Sequence, residues 1–423
     1  MSQLLWTQPI QPPASEAVSP ALSVTLTLLT HLRNLVGCWP VSDSRAPIYA
    51  RPPSWRTRPT PLSPLPILPH LDKHTPTMVG PPSLDSSFAT IIHYSARELI
   101  QHTGAQLEAR PRESNLIYPH ALDLKSKEEK GEAISPNQLW ITCWTKNSRG
   151  GHSLDFVLSC TSQLLGDYPI FIYCNHPASS LTDAFVRPRI RALARALSGQ
   201  VPPTRVFSIF SLKSVTDAFV GEWTALTGVT PILDDPYYFA TSSFCSRETF
   251  KGARQAPEPG HVMRRATMDD LEECATLCRE FADTSPPFVL TQEQARIEAY
   301  KMIKSNQLSI YRVPTSPTTS AVTCMVAVTR TSSTVAAITK VFTSPSWRRR
   351  GYAERLAAHV LEDLLYKVGK EYVVLYVGHT LAAKRVYDRL GFAGLSSVPN
   401  AKRVDAVDDW LEIGFANTTL GHW

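Results

Sequence analysis

The sequence predicts an α/β protein with a mixed α+β sheet, divided into two tandem units that follow a proline-rich extension. Three observations support this prediction. The chain has 423 residues, too many for one ordinary core. Strand and helix patterns alternate from Phe88 onward, and a segment without periodicity at 246–261 interrupts them. We expect an extension at 1–87, a first unit at 88–250, a linker at 251–260 and a second unit at 261–423.

The composition favours a folded protein outside the membrane. Hydrophobic residues make up 43% of the chain and charged residues 19%. No apolar run approaches the ~20 residues of a membrane span. The net charge of +6 is modest for this length and argues neither for nor against nucleic acid as a partner. We expect neither nucleic acid nor a membrane as a partner. We expect a cytoplasmic or nuclear location rather than a mitochondrial one, because no basic segment precedes the apolar patch at 21–32.

The cysteines predict a reducing compartment. Eight are scattered along the chain without a CxxC pair or a His-Cys cluster at zinc spacing, so no metal site is expected. Cys274 and Cys278 lie four apart in a predicted helix. We interpret them as small buried hydrophobic residues rather than as a metal pair.

The extension at 1–87 contains 16 prolines. Proline removes a backbone donor and fixes φ, so this segment is predicted to be disordered. The sequence leaves open whether translation begins at Met1 or at Met78.

The first unit alternates short β-branched and aromatic runs with helical patterns. Helices are predicted from 88 to Gly104, over 181–199 and over 214–228. Strands are predicted at 137–145, 154–160, 169–175, 204–211 and 237–244.

The second unit is predicted to have the order α-α-β-β-β-α-β-α-β. Thr267 and Thr291 each begin a helix as the N-cap of a capping box. The later elements are an antiparallel meander at 308–313, 321–330 and 334–343, a helix after Gly351, a buried strand at 372–377 and a last helix that ends at Gly391.

The segment "SPSWRRRGYAERL" at 344–356 predicts an anion site. The backbone N–H groups of 349–353 lie at a helix start, where unpaired donors and the helix dipole favour an anion such as a diphosphate. Gly351 and Ala353 leave room for a phosphate near the main chain, and the arginines at 348–350 can neutralise further charge. A solvated basic helix start is the alternative for such a short motif.

Two motifs together resemble those of the GNAT superfamily of acyl-CoA-dependent N-acyltransferases. "RRRGYA" at 348–353 fits the pattern Gln/Arg-x-x-Gly-x-Gly/Ala. "TLAAKRVYDRLGF" at 380–392 fits Asn-x-x-Ala-x-x-x-Tyr-x-x-x-Gly-Phe, with Thr380 in place of the asparagine. The resemblance covers 261–423 and implies an N-acetyltransferase that uses acetyl-CoA as cosubstrate and a primary amine as acceptor.

The resemblance also implies roles for particular residues. Tyr387 would act as general acid and protonate the departing CoA thiolate, which suits a phenol because its ordinary pKa of ~10 is near that of a thiol. A core aromatic with a satisfied hydroxyl is the alternative for Tyr387. The residues implied to contact acetyl-CoA are Val341, Phe342, Thr343, Arg348, Arg349, Arg350, Gly351, Tyr352, Ala353, Thr380 and Ala383.

The general base is less well defined by the sequence. No carboxylate occurs at 334–347, where some GNAT members keep a glutamate. His379, just after the predicted strand, is the candidate, with a structural histidine and water-relayed deprotonation as alternatives. The missing carboxylate and Thr380 also support a second hypothesis, a non-catalytic CoA-binding sensor or interaction protein.

The first unit is predicted to be a degenerate GNAT-like domain. The order of elements at 169–244 mirrors that at 337–416, but "HPASSLTD" replaces the arginine-glycine turn. We expect the acceptor to contact the loops 281–290 and 396–409, whose acidic residues are Asp283, Asp405, Asp408 and Asp409. The identity of the amine and the oligomeric state are left open.

Overall fold

The computed structural model describes residues 87–147, 150–163, 165–380, 382–396 and 404–422. The predicted disorder of the extension, with Met1 and Met78, lies outside these residues.

The described chain alternates strands and helices in the order that the sequence patterns indicate. The strands are β1 (Phe88–His93), β2 (Leu139–Lys146), β3 (His152–Cys160), β4 (Ser162–Gln163), β5 (Gly166–Asp167), β6 (Ile170–Cys174), β7 (Ser208–Leu212), β8 (Pro231–Ile232), β9 (Tyr238–Cys245), β10 (Val262–Arg265), β11 (Leu308–Pro314), β12 (Ser320–Thr331), β13 (Val335–Thr343), β14 (Tyr372–Gly378) and β15 (Asp409–Phe415). The α-helices are α1 (Ala96–Ala109), α2 (Tyr118–Lys130), α3 (Asp183–Ser198), α4 (Lys213–Thr227), α5 (Leu271–Ala282), α6 (Gln292–Lys304), α7 (Tyr352–Glu362), which continues into a π-helical turn at Asp363–Lys367, and α8 (Ala383–Leu390).

One 13-stranded mixed sheet runs through the described residues, which confirms the predicted fold class. Its order is β1-β2-β3-β6-β7-β15-β9-β14-β13-β12-β11-β10, with β8 paired to β15. Neighbours are antiparallel except for two parallel pairs, β6 with β7 and β13 with β14. A parallel pair needs a crossover connection, which α3 and α7 supply.

The two halves of the sheet repeat one order of elements and exchange their last strands. When the two-residue strands β4, β5 and β8 of the first half are set aside, each half has the order β-α-α-β-β-β-α-β-α-β, ending in β9 and β15 respectively. β9 pairs with β14 of the second half, and β15 pairs with β7 of the first half. β9 and β15 also pair with each other at the centre. The sequence patterns did not predict this exchange.

The exchanged strands are buried in the half that receives them. Trp410, Ile413 and Phe415 of β15 pack in the same hydrophobic core as α1, α3 and α4. Cys245 of β9 packs with α7 and β14. Separating the halves would therefore expose apolar surface that each core needs.

Two predictions about local structure were wrong. Residues Phe88–His93 form an edge strand paired with β2, not the start of a helix, because the β-branched run at 90–92 suits a sheet. Ser95 then caps α1, with its hydroxyl accepting the Arg97 N–H at 3.1 Å, and the helix continues through Gly104. The second correction is β10, an additional strand that precedes α5.

Other predictions about local structure were confirmed. Thr267 and Thr291 form capping boxes with Asp270 and Gln294. Cys274 and Cys278 are buried on α5, as expected of small hydrophobic residues.

Replacing Phe415 with alanine should lower the free energy of unfolding by about 3 to 5 kcal/mol, the usual cost of removing a buried ring. The ring belongs to the first half's core, which contains Trp140 and Trp223. Their fluorescence should therefore follow the loss in a urea titration. Phe239→Ala removes a ring of β9 that is 37% exposed and should cost clearly less. Equal stability of Phe415→Ala and wild type would contradict the exchanged packing.

Candidate active site

The turn before α7 has the geometry of an anion site. Gly351 has a φ of 78° and Arg349 a φ of 63°, both in the left-handed region. A Cβ placed on Gly351 would meet only the Arg355 guanidinium, at 3.8 to 3.9 Å, so the space above this backbone is open. The first N–H groups of α7 have no intrahelical acceptors, and they carry the positive end of the helix dipole.

The three arginines of the turn are exposed and lack a counter-ion. None of them pairs with a carboxylate among the residues that the structure describes. The Nε of Arg348 donates to the Thr343 carbonyl at 3.0 Å, and the Arg350 guanidinium lies 4.9 Å from the Trp347 ring. Both guanidinium groups are therefore held close to the turn. Tyr352 is not exposed like the arginines, because its ring is buried and stacks on the ring of Tyr311 at a centroid distance of 4.7 Å. Its side chain therefore points away from the turn, and its backbone N–H is left for a ligand.

The parallel pair β13 and β14 separates soon after it begins. The two strands pair only from Val335 with Tyr372 to Ala337 with Val374. Beyond that point β13 follows β12, and β14 follows β9 as far as Gly378. The segment 338–343 therefore presents a backbone edge without a strand on one side, and it contains the predicted contacts at 341–343.

Two adjacent β-bulges account for this separation. Val328 pairs with Ile338 and Ala327 with Lys340, so Thr339 is an extra residue of β13. Thr329 is likewise extra on β12, and its hydroxyl donates to that of Thr339 at 3.1 Å. A bulge bends its strand and increases the local twist, which turns β13 away from β14.

Tyr387 lies on α8 in the core of the second half. Its ring meets Phe392 edge-on at a centroid distance of 5.5 Å. Burial, with smaller contributions from Tyr238 and Cys324, raises the pKa of its hydroxyl. The helix ends at Gly391, where φ is 98° and a Cβ would lie 1.8 Å from the Thr249 carbonyl oxygen, so only glycine fits. Thr380 is exposed before this helix, and Ala383 is its first residue.

Glu354 fixes the turn helix to α8. Its carboxylate is buried and accepts from Arg389 of α8 at 2.6 Å and from Arg254 of the linker at 3.1 Å. Burial alone would raise the pKa of Glu354, but the hydrogen bonds from these two arginines outweigh it and lower the pKa. The turn at Gly351 and Tyr387 are thereby held in one arrangement.

His379 lies at the end of β14, against β9 and β15 rather than against β13. Its Nε2 is 3.0 Å from Asp409 Oδ1 and 3.4 Å from the Thr241 hydroxyl. The ring stacks on Phe239 at 4.1 Å. The structure thus places His379 beyond the opened edge and pairs it with a carboxylate.

The predicted acceptor loops are only partly described. Phe288 of the loop after α5 packs edge-on against Phe207 and Tyr237 of the first half. Residues 397–403 lie outside the described residues. Of the acidic residues, Asp405 lies 3.7 Å from Arg112, and Asp409 is the partner of His379.

Three charged residues between β12, β13 and the helices α5 and α6 were not predicted from the sequence. Lys340 forms an ion pair with the buried Glu298 of α6 at 3.2 Å. Lys340 and His422 together outweigh burial and lower the pKa of Glu298 to about 2. Arg330 lies near the start of the opened edge. Lys340 and Arg330 could have been noticed in the sequence, because each is a charged residue within an otherwise apolar strand.

The turn at Gly351 and the opened parallel pair are close together along the chain. Residues 276–392 match the family model described as Acetyltransferase (GNAT) family, and this segment contains both features.

Several solved structures are similar to this chain at low sequence identity. A Drosophila protein has 13% identity and a TM-score of 0.50, over 77% of this chain and 96% of that one. A GCN5-related N-acetyltransferase from Sphaerobacter thermophilus has 15% identity and a TM-score of 0.44, over 79% and 97%. A tandem GNAT protein from the clavulanic acid biosynthesis pathway has 12% identity and a TM-score of 0.42, over 78% and 99%. No curated protein matches the chain in sequence.

The described residues contain no candidate membrane span and no candidate metal cluster. None of their helices combines the length and apolar character needed to cross a membrane. In the same ranges, no group of three or more His, Cys, Asp or Glu side chains is arranged to hold a metal.

Proposed function

We propose that the chain is an acetyl-CoA-dependent N-acetyltransferase that acetylates a primary amine by direct attack on the thioester. The observation that carries this proposal is the position of the open turn at Gly351, directly after the strand that separates from β14. One ligand could then place a diphosphate on the turn and an extended chain of amide groups, its arm, along 338–343. The thioester of that ligand supplies the activated acyl group.

The residues of the turn and the strand edge fit such a ligand. The main chain of 349–353 offers N–H donors, and the exposed arginines at 348–350 offer positive charge for phosphate oxygens. The backbone of 341–343 faces the gap left by β14 and can pair with amide groups of the arm. Ala383 and Thr380 lie at the start of α8, on the other border of the gap.

We assign Tyr387 the role of general acid toward the thiolate. A general acid must hold its proton until the leaving group needs it, and the raised pKa of this buried hydroxyl keeps it protonated. Its helix is fixed to the turn helix through Glu354, so the donor and the phosphate site cannot move independently.

We assign His379 the role of general base, acting on the ammonium of the acceptor through water. Because Asp409 holds Nε2, Nδ1 is the nitrogen that can accept a proton. His379 contacts β9 and β15 rather than β13, and we therefore propose that a water molecule relays the proton.

We further propose that 88–250 is a degenerate GNAT-like domain joined by the linker 251–260 to a catalytic domain at 261–423. In the first half a short 3-10 helix and the Thr182 cap replace the arginine-glycine turn before α3. Asp155, which is 1% exposed, binds Arg189 at 2.8 Å and His176 at 2.9 Å near the end of β6. These side chains satisfy one another and present no open backbone for a phosphate. The buried, unbonded thiols of the described cysteines support a cytoplasmic or nuclear location.

Gly351→Val should weaken acetyl-CoA binding at least tenfold in calorimetry, because the side chain forces φ out of the left-handed region and fills the space above the turn. Gly131→Val is the matched control, since Gly131 has a φ of 68° with nothing within 4 Å of its Cβ position. It should carry the same strain without affecting binding. The proposal fails if wild-type protein gives no heat with acetyl-CoA or CoA.

Tyr387→Phe should lower kcat by ten- to a hundredfold and leave acetyl-CoA affinity unchanged, because only the proton donor is lost. Release of CoA thiol with a panel of amines measures the rate. Tyr300→Phe, on an exposed ring of α6, should match wild type. If the wild type binds CoA and no amine releases thiol above background, the chain is the non-catalytic CoA-binding sensor instead.

His379→Ala should lower kcat/KM for the amine by about a hundredfold, because the group that takes the ammonium proton is lost, and it should leave acetyl-CoA affinity unchanged. Asp409→Asn keeps the imidazole and should cost less than His379→Ala. Unchanged kcat/KM in His379→Ala would assign the base to another group.

A further inference from the structure

We infer that the acceptor carries a carboxylate and that Arg330 binds it, so that the acetylated substrate is an amino carboxylate such as a free amino acid. This inference rests on the proposed acetyltransferase function and names the class of its acceptor. It comes from an unpaired cation on the face of the sheet that carries α5 and α6.

Arg330 reaches across the start of the opened edge. Its partner in the sheet is Ala337, the last residue of β13 that has a neighbour on β14. Its guanidinium carbon lies 5.7 Å from the ring centroid of Tyr376, two residues beyond the last paired position of β14. The guanidinium therefore lies over the point where β13 and β14 separate.

The guanidinium has no counter-ion among the residues that the structure describes. No described carboxylate forms an ion pair with Arg330, although the group is largely enclosed. The nearby acids have partners of their own. Glu113 binds Arg110 at 2.6 Å, and Glu298 binds Lys340 at 3.2 Å. A buried cation without a counter-ion is costly, which favours an anion supplied by a ligand.

Asn115 provides a second, independent indication. This residue is fully buried in the 3-10 helix Glu113–Leu116 of the first half. Its Oδ1 accepts from the Arg330 Nε at 3.3 Å, whereas its Nδ2 has no partner among the described residues. An amide N–H left unpaired beside an unpaired guanidinium offers two kinds of donor to the same anion.

The rings around the guanidinium do not neutralise it. Tyr168, Tyr238 and Tyr376 lie around the guanidinium, and its charge partly opposes the effect of burial, which raises the pKa of all three hydroxyls. All three hydroxyls therefore stay protonated near neutral pH and remain uncharged. A carboxylate is planar, and a guanidinium binds it in bidentate fashion.

The test compares amines that differ only in the carboxylate. Glycine and alanine should give kcat/KM values at least tenfold above those of glycinamide and alaninamide. The amides contain the less basic amines, so chemical reactivity alone would favour them. Arg330→Gln should remove this preference, mainly by raising KM for the amino acids, while acetyl-CoA affinity measured by calorimetry stays unchanged.

Two further variants keep the test decisive. Arg330→Lys retains the charge and loses the bidentate fork, so part of the preference should remain. Arg279→Gln, on an exposed position of α5, removes the same charge and should behave like wild type. If amino amides and amino acids are acetylated equally by the wild type, the carboxylate inference is wrong and the acetyltransferase proposal stands. If acetyl-CoA binds and no amine is acetylated, both are wrong.

Discussion

The opened edge between β13 and β14 depends on the pairing of β14 with β9. A strand that leaves its neighbour loses backbone hydrogen bonds, and buried backbone groups must find other partners. β14 keeps a full antiparallel partner in β9 from Val373 to Gly378, so it can turn away from β13 without leaving both edges bare. Since β9 is the last strand of the first half, the first half supplies a condition for the site that the second half carries.

Local patterns in the sequence were sufficient to predict the turn and the last helix. Gly351 and Gly391 are both left-handed, and the residues around them repeat the two GNAT motifs. The capping boxes at Thr267 and Thr291 are equally local, because a cap involves residues three positions apart. The strand exchange could not be predicted in this way, since the alternation in β9 and β15 indicates a strand but not its neighbour.

The environment of Arg330 also could not be predicted from local sequence patterns. Its hydrogen-bond partner Asn115 is 215 positions away in sequence and belongs to the other half. The sequence pattern of β12 shows a charged residue near the end of the strand, and such a residue is usually exposed to solvent. The bulges at Thr329 and Thr339 also alter the alternation, so that counting by two from Met325 would place Arg330 on the wrong face.

The two sides of the opened edge have different electrostatic characters. The turn at 348–351 presents exposed, solvated cations suited to a polyanion that arrives from water. On the face that carries α5 and α6, the charges are enclosed, and Lys340 is neutralised by Glu298. Arg330 forms no ion pair with a carboxylate of the described residues, and the side-chain amide beside it belongs to Asn115 of the first half. A half without an open phosphate turn thus contributes both a strand that permits the opening and a side chain beside the unpaired cation, which gives a physical reason for its presence in the fold.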